Sequence, residues 1–164
     1  MDQKLLVELS LYKFNKKYLG SIDLSNVNVS NSSVESKFII ILDQSGSMGN
    51  SVPKIVSKII PKVLNNLTDQ TTATLITFSD ESAVYSGDKD YFSNLELEAY
   101  GCTYMSKALE QLNLIIDNIE FGSSLRILVF SDGELHDQEE AIELSSNIAQ
   151  KAKGKLIINA QAIR

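Results

Sequence analysis

Lys37-Phe38-Ile39-Ile40-Ile41-Leu42-Asp43-Gln44-Ser45-Gly46-Ser47-Met48-Gly49 runs through five consecutive apolar residues and then turns abruptly polar. A β-strand sends successive side chains to opposite faces, so a strand with no polar position must be covered on both. Central strands of parallel sheets, with helices on either side, meet that condition. The polar turn then falls at the carboxyl end of the strand, where open α/β sheets gather their ligands. Gly46 and Gly49 let the chain bend sharply enough for Ser45 and Ser47 to face one centre.

Downstream the same logic repeats. Val52, Ile55, Val56, Ile59, Ile60, Val63, Leu64 and Leu67 form an apolar stripe at helical spacing. Pro53 suits the first turn of that helix, whereas Pro61 is expected to kink it or end its regular hydrogen bonding early. Ala73 to Phe78 and Ser82 to Tyr85 read as strands joined by Ser79-Asp80-Glu81, a connection so tight that the pair must be antiparallel. An irregular stretch follows, then a second helix marked by Met105, Ala108, Leu109, Leu112, Ile115, Ile116 and Ile119. Leu125 to Phe130 is another buried strand, ending at Ser131-Asp132-Gly133. Ala141, Leu144, Ile148, Ala149 and Ala152 mark a third helix, closed by Gly154, and Leu156 to Ile163 is the last strand. Alternation of strands and helices predicts an α/β fold: a mostly parallel, doubly wound (Rossmann-like) sheet flanked by helices, with one antiparallel edge strand.

Upstream the pattern is different. Lys4 to Tyr12 and Tyr18 to Leu24, separated by Lys13–Lys17, predict an N-terminal β-hairpin. Ser25 to Ser33 is an Asn/Ser-rich tract read as a linker. Its two glycosylation sequons, at Asn28 and Asn31, are read as chance matches. Residues 1–36 are therefore separated from an α/β domain over 37–164.

Bulk properties narrow the function classes. The chain has 164 residues, of which 43% are hydrophobic and 22% charged, enough for one soluble domain with a real core. Its longest wholly apolar run, Phe38 to Leu42, is far too short to cross a bilayer, and the N-terminus does not read as a secretory signal. A net charge of -6 argues against generic nucleic-acid binding. Cys102 is the only cysteine, so no intramolecular disulfide forms and a reducing, cytoplasmic setting is expected. A secreted effector without a classical signal is the second expectation for location. One histidine, His136, cannot build a zinc site.

Three segments carry oxygen-bearing side chains at strand ends or helix starts on the same edge of the sheet. They are Asp43-Gln44-Ser45-Gly46-Ser47-Met48-Gly49, Gly101-Cys102-Thr103 and Ser131-Asp132-Gly133. Hard divalent cations take oxygen ligands of this type, with magnesium held near-octahedral and keeping several waters. In order and context, Asp43-x-Ser45-x-Ser47, a distant Thr103 before a helix and Asp132 followed by glycine resemble the metal-ion-dependent adhesion site (MIDAS) of the von Willebrand factor A-type (vWA) family. The resemblance runs from about Lys37 to the C-terminus. It implies that Ser45 and Ser47 ligate magnesium directly, with manganese or calcium as substitutes. It also implies that Thr103 ligates when a partner is engaged, and that Asp43 and Asp132 act mostly through water. Neutral hydroxyls leave such a cation under-neutralised, so a partner's Asp or Glu carboxylate can complete its shell. The expected activity is adhesion to a protein partner, with no nucleic acid, membrane or catalysis involved. Many members continue with another strand and helices, so 37–164 is expected to be either a fragment of a longer chain, within a multiprotein complex, or a short version.

Two rival readings meet objections in the residues themselves. A magnesium-dependent phosphotransferase or phosphatase of the haloacid dehalogenase type would use Asp43 as nucleophile, but it needs a second acid two residues on, where Ser45 stands. A structural scaffold that has lost its metal does not suit five intact positions. Single residues near the site take plainer readings. His136 is expected to be a solvated loop residue, Cys102 a small buried packing residue, and Glu134 a rim residue at most. Met48 and Tyr104 suit either the core or an apolar rim. Asp137 to Glu140 suits the first turn of a helix, where negative charge is favoured.

Overall fold

The structure, a computed structural model, describes residues 8–14, 17–23, 36–67, 72–120, 123–133, 135–152 and 157–163. The expected linker, Glu134 and Gly154 lie outside those residues. Strands β1 (Glu8–Phe14) and β2 (Lys17–Asp23) pair antiparallel, so the expected hairpin forms, and the Lys4–Val7 part of its expected first strand lies outside the described residues.

The apolar run becomes β3 (Ser36–Asp43), the middle of a five-stranded sheet. On one side β3 pairs parallel with β4 (Thr72–Phe78), which pairs antiparallel with the edge strand β5 (Ser82–Asp88). On the other side β3 pairs parallel with β6 (Ser124–Phe130), and β6 with β7 (Ile157–Ile163). The order β5-β4-β3-β6-β7 gives the mostly parallel sheet with one antiparallel edge expected from the sequence. The chain leaves β3 toward β4 and later returns to β3's other side as β6, so the crevice between the ends of β3 and β6 is the switch point.

Alternation along β3 divides the core in two. Phe38, Ile40 and Leu42 pack beneath α1 (Ser51–Lys54), a π-helical turn (Ile55–Ile59), α2 (Ile60–Asn66) and the short α3 (Lys89–Asn94). Val52, Val56, Ile60, Leu64 and Phe92 are the buried contacts on that face. Ile39 and Ile41 face the other way, against α4 (Met105–Asp117) and α5 (Gln138–Ala152) through Ala108, Leu112, Ile116, Ala141 and Ile148. Each large aliphatic side chain withdrawn from water in this way contributes about 1.5–3 kcal/mol.

Regular α-helical bonding ends ahead of Pro61, as expected, and yet the helix goes on: the preceding turn widens, and the Ile60 N–H donates to the Ile55 carbonyl five residues back. A proline has no N–H and its ring crowds the carbonyl four residues earlier, and a π turn accommodates both demands without breaking the helix. The stretch after β5, expected to be irregular, contains α3. The Asp88 carboxylate caps it by accepting from the N–H groups of Asp90 and Tyr91 at 3.1 and 2.9 Å.

Candidate functional site

Asp43 ends β3 fully buried, and its carboxylate organises the turn that follows. Oδ1 accepts the Ser45 N–H at 2.9 Å, bending the chain back over the strand end. Oδ2 accepts the Ser131 hydroxyl at 2.8 Å, across the crevice from the end of β6. Among the described residues no Lys or Arg pairs with this carboxylate. The turn then winds through a single 3-10 turn, Gly46–Met48, and leaves through Gly49 at φ 46°, a conformation that favours glycine.

That turn brings the Ser45 and Ser47 hydroxyl oxygens to 3.0 Å of each other. This is a hydrogen-bond spacing, and it is also the separation of adjacent donors around magnesium. With metal–oxygen distances of about 2.0–2.1 Å, an octahedron has edges of about 2.8–3.0 Å. Ser45 is buried and Ser47 exposed, so the pair opens outward from the sheet. The donor chemistry therefore fits a hard cation. Among the described residues no group of three or more His, Cys, Asp or Glu could hold a metal ion.

Neighbouring loops are laced to this turn by their backbones. The Gln44 N–H reaches the Phe78 carbonyl at 2.8 Å, and the Gln44 carbonyl accepts the Tyr100 N–H at 2.8 Å. Gly46 N–H donates to the Gly101 carbonyl at 3.1 Å, two residues before Thr103. Gly101, at φ 71°, lies so close to the Asp80 carboxylate that a side chain there would overlap it. Asp80 in turn accepts the Cys102 N–H at 3.0 Å. Thr103 itself is buried, while the Tyr104 N–H donates to the Ser79 carbonyl.

Asp132 is exposed. It shares with Ser47 and Ser131 the wall of a cleft of about 340 Å³, lined otherwise by Met48, Ile55, Ile59 and Phe130 and by the polar Ser51 and Lys54. Hydrogen bonds thus join Asp43, Ser45 and Ser47, the cleft adds Asp132, and Thr103 is tied in through its loop's backbone.

Several neighbours differ from their sequence reading. Cys102, expected to be buried, is exposed, because the positive-φ turn at Gly101 swings it outward. Partial desolvation, then a hydrogen bond to Asp80 and that group's charge, push its thiol above the ordinary cysteine range. Met48 packs on the core, one of its two expected uses, and also lines the cleft. Ser131 had no assigned role, although its hydroxyl spans β6 and β3. Its signal was its place directly after a buried strand, one residue before Asp132.

Residues 38–134 match the family model of the von Willebrand factor type A domain, a span that takes in the central strand and all five candidate positions. The chain belongs to this family. A comparison with curated protein sequences returns no significant match. Among solved structures, this vWA chain resembles the pilus adhesin SpaC from Lactobacillus rhamnosus GG in its open conformation. The TM-score is 0.50 and the identity 17%, over 79% of this chain and 18% of the adhesin. It also resembles the ArnB paralog VWA2 from Sulfolobus acidocaldarius (TM-score 0.47, 18% identity, 80% of this chain and 38% of that one). A third is proximal thread matrix protein 1 from the mussel byssus (TM-score 0.49, 16% identity, 79% and 35%). At these identities the likeness is one of fold, and the vWA chain spans less than a fifth of the adhesin's length.

Proposed function

We propose that this vWA domain is a metal-dependent protein–protein interaction module, not an enzyme, which takes an Asp or Glu carboxylate of a partner protein at a magnesium site. The observation that carries this reading is the pair of hydroxyl oxygens of Ser45 and Ser47, 3.0 Å apart, at the end of the central strand beside the buried Asp43. Ser45, Ser47 and Thr103 would hold the ion, with Asp43 and Asp132 holding its waters. Manganese or calcium could substitute. Bound there, the cation would supply a positive centre with room for one outside carboxylate.

The protein's own residues do the rest. Asp43 fixes the Ser45 turn and the Ser131 hydroxyl, so the donors are ordered before any ligand arrives. The apolar cleft beside Ser47 and Asp132 offers a seat for a side chain neighbouring the partner's acid, and Lys54 adds positive charge there. The single cysteine supports a reducing, cytoplasmic setting for this interaction. Use of Asp43 as a phosphotransferase nucleophile is disfavoured, because the group is fully buried and both its oxygens are engaged.

The test is magnesium titration by calorimetry on wild type, Asp43→Ala and Thr103→Ala, followed by partner capture with and without chelator. The interaction reading expects folded variants that lose metal and partner together. A wild type that binds no divalent ion would end it, and phosphate-ester hydrolysis that depends on Asp43 would put an enzyme in its place.

A further inference from the structure

We propose that His136 and Asp137 are positioning residues for Thr103, locking its loop to the loop that carries Asp132. This deepens the metal-dependent reading above and rests on it. The His136 N–H donates to the Thr103 carbonyl at 2.9 Å, and the Thr103 N–H donates back to His136 Nδ1 at 3.2 Å. The next residue continues the lock. Asp137 Oδ1 accepts the Met105 N–H at 3.0 Å and Oδ2 the Ser106 N–H at 2.6 Å.

Those amides open α4, where N–H groups have no acceptor within the helix, and a carboxylate also suits the positive end of the helix dipole. Asp137 meanwhile starts α5, its carbonyl accepting the Ala141 N–H at 2.9 Å. One dipeptide therefore secures the first turns of two helices and the residue between β5 and α4 that the family pattern assigns to the metal. The Tyr104 ring lies against the imidazole, centroids 5.7 Å apart and tilted by 42°, which limits rotation of the ring that accepts from Thr103.

A donor on a loop binds a cation well only if it is held in place beforehand, since ordering it during binding subtracts from affinity. His136 and Asp137 provide that hold without contributing a ligand. Their removal should therefore lower metal affinity in a protein that still folds, and an acceptor restored at the Nδ1 position should rescue it.

The experiment measures magnesium affinity by calorimetry, and amide hydrogen exchange by NMR, for wild type, His136→Leu, His136→Asn and Asp137→Asn. In His136→Leu the acceptor is lost, and we expect affinity to fall about tenfold while the far-UV spectrum is unchanged. His136→Asn, whose Oδ1 can stand where Nδ1 stood, should recover to within about threefold of wild type. In Asp137→Asn the Met105 and Ser106 amides should exchange faster. Wild-type affinity in folded His136→Leu, or failure of His136→Asn to do better than His136→Leu, would overturn the proposal. Should His136→Leu not fold, slow exchange of the Thr103, Met105 and Ser106 amides in wild type, lost in Asp137→Asn, decides for the lock; fast exchange in wild type decides against it. If wild type binds no magnesium, the functional reading fails, and the same exchange comparison still judges the lock.

Discussion

Replacing Asp43 by Asn separates the two jobs its carboxylate has. As a shape, Asp43 completes two buried hydrogen bonds, to the Ser45 N–H and the Ser131 hydroxyl. An asparagine can keep both, its oxygen facing Ser45 and its NH2 donating to a Ser131 hydroxyl that has turned round. What it loses is the charge assistance, on the order of 1 kcal/mol for the pair. Against this, a fully buried carboxylate that pairs with no cation among the described residues is costly to desolvate, and asparagine removes that cost. The two effects oppose each other, so in chelator Asp43→Asn should match wild type to within about 1 kcal/mol. Magnesium should then tell them apart. At about a hundred times its dissociation constant it stabilises a binding fold by about 2.7 kcal/mol. For a domain of this size 1 kcal/mol moves the midpoint by about 2–4 °C, so wild type should gain about 5–11 °C. Asp43→Asn should gain almost nothing. Thermal unfolding followed by circular dichroism, in chelator and in magnesium, reads all four values. The reasoning fails if the variant gains as much as wild type. It fails as well if the variant melts far below wild type in chelator, which would make the charge structural.

Three further outcomes follow from the geometry. Ile40→Ala removes a fully buried side chain at the centre of β3 and should cost about 2–5 kcal/mol in urea unfolding, and a smaller loss would mean the site collapses freely. Gly101→Ala must fit a side chain at φ 71° against the Asp80 carboxylate, so it should lose about 1–3 kcal/mol, and an unchanged urea midpoint would contradict the close approach. The Cys102 thiol is held above its ordinary range, so its alkylation should rise at higher pH than in the unfolded chain. Asp80→Asn removes the charge from among those causes and should shift that profile to lower pH; an unmoved profile would remove that charge from the account.

The sheet could be read from the sequence because its strands are short apolar runs, and a run such as Phe38–Leu42 has few other places to go. The helices at Met105 and Gln138 were equally legible from their period. Helix α3 was not, since six residues with Phe92 as their one buried side chain are too few to show a period, although Asp88 was a usable capping signal. For the site, the five positions were visible as motifs because each sits directly after a strand or before a helix. Their supports were not. His136 and Thr103 are 33 residues apart, and Asp137 was expected to serve only the helix it precedes, whereas its side chain also serves α4. Partnerships of this kind are set by how the loops pack, and no local pattern announces them.

The π turn at Ile55–Ile59 has a bearing on how this chain tolerates change. A π turn holds one residue more than an α turn, so deleting one residue there would restore a regular helix and leave Val52 and Val56 in phase with Ile60 and Leu64. The cost would fall on Pro61, whose ring would then meet the carbonyl four residues back. The first half leads straight out of the serine turn, while the second leads to β4. The extra residue is therefore what lets a proline sit inside a straight run between them, and its loss should bend the helix at that join.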